Sequence, residues 1–209
     1  MIKSIFEMKN KLSEIKLNLC EAYFSIIKKT FKTEINVYEL CKLSKISIED
    51  AESILPKFQR DYNVFFLKIL LAKLDQETLN ELKEEISYDT VSSIYEKILE
   101  GIILRFEKYL LYQPAFKILS EGFDLRAKFF CDLFKNNQSF MFDLLNIVEG
   151  SENNCKLLLK SVALNLVYSR TVDVFLKEEN SNLDTTIRYL DQYLHEIEDL
   201  GYMFGIIKK

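Results

Sequence analysis

Glycine and proline are nearly missing from this chain, at five and two among 209 residues. So few turn formers exclude a meander of short strands, and the long stretches dominated by Leu, Ile, Lys and Glu leave an all-α fold as the expectation. Long apolar runs are scarce as well. The longest, residues 64–71, is interrupted by Lys68 and falls far short of the roughly 20 residues that a bilayer span needs, so no membrane span is expected. Residues 1–14 mix Lys3, Glu7, Lys9, Lys11 and Glu14 with apolar residues. They offer neither the uninterrupted apolar region nor the small-residue cleavage site of a secretion signal, which makes a cytoplasmic protein the expectation.

Catalytic equipment is equally thin. The one histidine, His195, stands beside Glu196 and Glu198, which makes it a surface residue and leaves a His-rich metal site or a hydrolytic triad without its usual base. Cys20, Cys41, Cys131 and Cys155 are far apart, form no CxxC pair and sit among apolar neighbours, so they are expected to be buried free thiols. GxxxxGK[ST], GxGxxG, HExxH and GxSxG are all absent. The paired carboxylates Glu84 with Glu85 and Glu178 with Glu179 fall at helix ends, where such charges are ordinarily solvated. No catalytic residue, metal ligand or cofactor is expected, and the layout is not that of an enzyme.

What is present is helical periodicity. Leu12, Ile15, Leu19, Ala22, Phe24, Ile26 and Ile27 predict a long helix over about 5–31. Asn36 followed by Glu39 reads as a capping box opening a short helix through Leu40 and Cys41. After a break at 44–46, Ser47 with Asp50 opens another through Ala51, Ile54 and Leu55, stopped by Pro56. Two short capped helices across a tight turn, behind a long one, are a helix-turn-helix candidate. An apolar connector over 62–74, an acidic stretch over 75–85 and a helix over about 89–111 follow. A short helix from Pro114 to Gly122 leads to two helices over 124–135 and 139–149, rich in phenylalanine. Two long helices, about 154–177 and 182–200, should form an antiparallel hairpin across the polar turn 178–181.

In layout this resembles the TetR family of transcriptional regulators. The closing hairpin carries the likeness best, through Val167, Tyr168, Thr171, Val174, Phe175, Leu176, Glu178, Glu179, Thr186, Leu190, Asp191 and Leu194. The resemblance implies a DNA-binding head over 1–60, a helical ligand-binding and dimerisation region over 61–209, and a homodimer through the last two helices. The apolar stripe Leu157, Val162, Leu164 and Val167 fits that dimer. The reading segment departs from the family: Lys45 stands in the turn where glycine is usual, Glu52 about where a tyrosine would be, and Leu55 and Pro56 near the usual phenylalanine. Glu49, Asp50 and Glu52 also repel phosphate. Residues 1–60 nonetheless hold eleven Lys or Arg against eight Asp or Glu, a net of +3, which leaves −7 for the remainder of a chain of net −4.

Two main functional readings follow. In the first, a ligand-responsive regulator contacts double-stranded DNA through Lys42, Lys45, Ser47, Ser53 and Lys57. A small apolar ligand then enters a cavity among the middle helices lined by Phe106, Tyr109, Phe129, Phe130, Phe140 and Tyr168. In the second, residues 47–56 are similar to the TetR-derived accessory proteins of ubiquinone biosynthesis, which implies a lipid-binding protein without DNA activity. An interaction protein with neither activity is the third alternative.

Overall fold

A computed structural model describes the backbone of residues 2–89, 91–121, 123–150 and 154–203, and the side chains of 11–89, 91–121, 131, 133–150 and 155–197. Among the described residues the chain forms α-helices joined by turns, one 3-10 turn and no strand. The all-α expectation therefore holds. Contacts divide the chain into two compact units, Met1–Lys73 with Pro114–Asp132, and Leu74–Gln113 with Leu133–Lys209.

In the first unit, α1 (Ile2–Thr30) packs on α2 (Val37–Ser44) and α3 (Ile48–Glu52), which also pack on each other. Asn36 and Ser47 are the N-caps, their side chains accepting from Tyr38 N–H and Asp50 N–H. The third helix is shorter than its expected run to Leu55. Ser53 Oγ turns back to donate to Asp50 O at 2.7 Å, Ile54 N–H bonds Ala51 O, and Pro56 brings no N–H to continue the ladder. Beneath these helices Tyr23 stacks on Phe66 at 4.5 Å between ring centroids, and Phe24 meets Phe116 edge-on. Cys20 donates to Phe66 O, and burial, with Glu21 adding to it, pushes its thiol up to about 12.

The expected connector and acidic stretch are one helix, α4 (Tyr62–Tyr88). Asp75 does not break it, because a partner in the second unit meets the carboxylate inside the protein. The helix expected from residue 89 begins later, as α5 (Ile94–Leu110). Asp89 instead holds a turn, accepting from Val91 N–H and Ser92 N–H, and Ser93 with Glu96 completes the capping box. After α6 (Gln113–Glu121), the two expected phenylalanine-rich helices are the single α7 (Phe123–Glu149). The polar run 136–139 reads as a break in the sequence, yet Asn137 is buried and Asn136 bonds a side chain of another helix. The hairpin is α8 (Asn154–Phe175) and α9 (Asp184–Met203), packed against each other, with α5 also on α9. Glu178 is not merely solvated, since its Oε2 accepts from Thr186 N–H in the first turn of α9. Burial alone would raise this carboxyl; the N–H groups of Thr186 and its neighbours hold it below its ordinary value. Gly101 of α5 lets neighbours come close: a Cβ there would lie 2.7 Å from Leu144 and 2.9 Å from Leu82.

Two cysteine assignments need correction. Cys20 and Cys41 are buried, but Cys131 and Cys155 are exposed on the outer faces of α7 and α8. No helix among the described residues is long and apolar enough to cross a membrane.

Candidate functional site

All five sequence-predicted DNA contacts, Lys42, Lys45, Ser47, Ser53 and Lys57, on and beside α2 and α3, are exposed. Lys45 occupies the turn with φ 58° and ψ 32°, the left-handed region where glycine is favoured. Its N–H bonds Cys41 O, and Ile46 N–H bonds the same carbonyl. The turn geometry thus survives without glycine. Ser47 and Ser53 are already engaged: Ser47 Oγ caps α3 and donates to Asp50 Oδ2, while Ser53 Oγ donates to the Asp50 carbonyl. That leaves the lysines as the available donors. Two further residues join them that periodicity could not single out. Phe58 is half-exposed, and the cations of Lys57 and Arg60 lie 6.0 and 5.1 Å from its ring centroid. On α3 itself Glu49, Asp50 and Glu52 are exposed.

A second site lies inside the second unit. Phe106, Tyr109, Phe140 and Tyr168 from the expected pocket lining are all buried there, around a residue the sequence reading missed, Arg105. Its Cζ lies 4.1 Å from the ring centroid of Phe140, 4.6 Å from Tyr168 and 5.2 Å from Tyr109. Phe106 stacks on Tyr168 at 4.7 Å. The side chains of Phe129 and Phe130 lie outside the described residues.

Arg105 is fully buried and pairs with Asp75 through two bonds, Nε to Oδ1 at 2.7 Å and Nη2 to Oδ2 at 2.9 Å. The same carboxylate accepts from Tyr109 OH and from Asn136 Nδ2, each at 2.8 Å. Burial alone would lower the guanidinium's pKa, but the Asp75 carboxylate outweighs it, and Arg105 is held above its ordinary value. Burial also raises the Tyr109 and Tyr168 phenols, so both hydroxyls stay protonated. A sequence signal existed only in part: an arginine among Ile, Leu and Phe on α5 and an aspartate ending an apolar run are each unremarkable until the fold brings them together.

The hairpin presents a third surface. Leu157, Leu164 and Val167 of the expected dimer stripe are core residues, and only Val162 is exposed. The stripe facing outward is Leu158, Leu159, Val162 and Leu166. Their spacing of three and four residues puts them on one side of α8.

Among the described residues the protein is all-helical, with two short capped helices joined by a tight turn in one unit and a buried, aromatic-walled ion pair in the other. No family model, no curated protein and no solved structure matches the chain. Among the described residues no group of three or more His, Cys, Asp or Glu could hold a metal ion.

Proposed function

We propose that this chain is a DNA-binding transcriptional regulator of TetR-like layout that responds to a small ligand held in its second unit. The observation that carries the reading is the three-helix head, in which a tight left-handed turn at Lys45 joins two capped helices and leaves Lys42, Lys45 and Lys57 exposed. With α3 acidic, the head relies on cations that flank the helix, including Arg60, to engage phosphates, and reads sequence only secondarily. Binding of the purified protein to random-sequence and upstream duplex DNA, measured at about 50 and 200 mM salt, tests this. Affinity that falls steeply with salt and favours some sequences is the expected result; no binding at the lower salt retires the reading.

The exposed carboxylates Glu49, Asp50 and Glu52 favour a second reading, a lipid-binding protein that has kept the head without its DNA activity. Extraction of the purified protein followed by mass spectrometry decides between them, since that reading requires a co-purified lipid and no DNA binding.

The regulator reading also includes a homodimer, built on the outward side of α8. Leu159→Glu with Leu166→Glu places two charges on that stripe, and sedimentation velocity should show the dimer giving way to monomer at micromolar protein. A chain that sediments as a monomer before substitution rules this interface out.

A further inference from the structure

The second unit carries an open groove of about 660 Å³ between α4 and α7, within the range of volumes at which proteins hold small molecules. Leu79, Lys83, Ile86 and Ser87 line it from α4, and Asp143, Asn146 and Ile147 from α7. Steps of three and four residues put each set on one side of its helix. None of Phe106, Tyr109, Phe140 and Tyr168 borders the groove, so it is distinct from the aromatic centre around Arg105. The core holds its two walls in place: Asn136 of α7 donates to Asp75 of α4, and the buried Leu82 and Leu144 both flank Gly101 of α5. The groove opens about one to three turns beyond the Asp75–Asn136 bond along both helices.

Opposite charges stand on the two walls and do not pair with each other. Among the described residues neither the Lys83 ammonium nor the Asp143 carboxylate enters a salt bridge. They lie close enough to interact all the same: burial raises the Asp143 carboxyl above its ordinary value, Lys83 opposes that rise and Asp75 adds to it. Ser87 Oγ already donates to Glu84 O at 2.6 Å, which leaves the Asn146 amide as the uncharged donor and acceptor beside the charges. With one carboxylate among its lining residues the groove is no metal site. A lone anion would meet Lys83 but also face Asp143, and a lone cation the reverse. A molecule that carries both charges satisfies both walls, and its apolar part covers Leu79, Ile86 and Ile147, which are half-buried. Resting on the ligand-responsive reading above, we propose that the α4–α7 groove binds a small zwitterion with an apolar side chain, of the α-amino acid class. Its carboxylate meets Lys83, its ammonium meets Asp143, and its side chain lies on Leu79, Ile86 and Ile147.

Three probes that share one apolar body separate the chemistries: phenylalanine, 3-phenylpropionate, which lacks the ammonium, and 2-phenylethylamine, which lacks the carboxylate. Each is titrated into the full chain and followed by ligand-observed NMR. Phenylalanine should bind about fivefold tighter than either single-charge probe, the factor that a partly exposed ion pair supplies. Lys83 and Asp143 are both exposed, so their variants fold. Asp143→Asn should abolish the advantage over 3-phenylpropionate and keep that over 2-phenylethylamine, and Lys83→Met should do the reverse. Equal binding of the three probes, or none of any, overturns the proposal. A single-charge probe as the tightest overturns the zwitterion class, and preferences unchanged in both variants overturn the placement in this groove. DNA binding measured on the same preparations keeps the two readings apart: a preference for phenylalanine without DNA binding retires the regulator and leaves this site standing, whereas DNA binding without the preference retires the site alone.

Discussion

Asp75→Asn should destabilise the protein by about 3–5 kcal/mol, the range for breaking a buried ion pair from one side. The substitution keeps the size of the side chain but strands the Arg105 guanidinium, which is 0 % exposed and has no other carboxylate bonded to it among the described residues. Tyr109 and Asn136 lose the charge on their common acceptor at the same time. In the native protein the Asp75 carboxylate holds Arg105 above an already high ordinary value, so the stability that its charged form lends is fully present below that ordinary value, and ordinary pH never reaches the region where it would be lost. In a chain of about this length the melting temperature should fall by roughly 6–20 °C. Removing both charges, as Asp75→Leu with Arg105→Met, should cost markedly less than Asp75→Asn alone, because no buried charge is then left unpaired. A loss under about 1 kcal/mol in Asp75→Asn would mean that water reaches the guanidinium, contrary to its burial.

The second large effect concerns the head. Lys45→Gly with Lys57→Gln removes two cations from each head without endangering the fold. Glycine relieves a left-handed residue that holds φ 58°, and Lys57 is exposed. If both lysines touch phosphate, a dimer loses about four phosphate contacts. The slope of log K against log salt should then flatten by about 4, and affinity near 0.1 M salt should fall by about three orders of magnitude. A variant with an unaltered melting temperature and an unaltered salt slope would place DNA binding elsewhere on the chain or nowhere. Fold damage cannot produce a false positive here, because Lys45→Gly acts in the stabilising direction.

Which features the residues announced, and which they did not, follows from the range of the interactions. Helix existence is a local property, and so are Asn36 and Ser47 as caps, since a short side chain reaches an N–H two or three residues on. The errors fell where a distant partner overrode a local signal. Asp75 with its acidic successors, and Asn136 with Asn137, look like breaks because polar residues ordinarily seek water. Here Arg105 and Asp75 hold Asp75 and Asn136 within continuous helices. The aromatic residues expected around a ligand were partly legible: Phe106, Tyr109, Phe140 and Tyr168 do converge. Their centre was not, because nothing within one turn of Arg105 distinguishes it from a solvated arginine.

The stripe on α8 makes the same point at finer scale. Leu157, Leu158, Leu159, Val162, Leu164, Leu166 and Val167 are all apolar, and a helix apolar on every side gives periodicity no phase to detect. Packing in the folded chain buried Leu157, Leu164 and Val167 and left Leu158, Leu159, Val162 and Leu166 exposed. By its composition and local spacing alone, then, this chain was committed to helices, to their caps and to a turn at Lys45. These depend on contacts within a few residues. Which charges are buried, which apolar side of α8 faces out and where the aromatic residues meet were decided only by tertiary structure. Each depends on groups far apart in the chain, and their free energy changes sign according to whether a partner or water lies opposite.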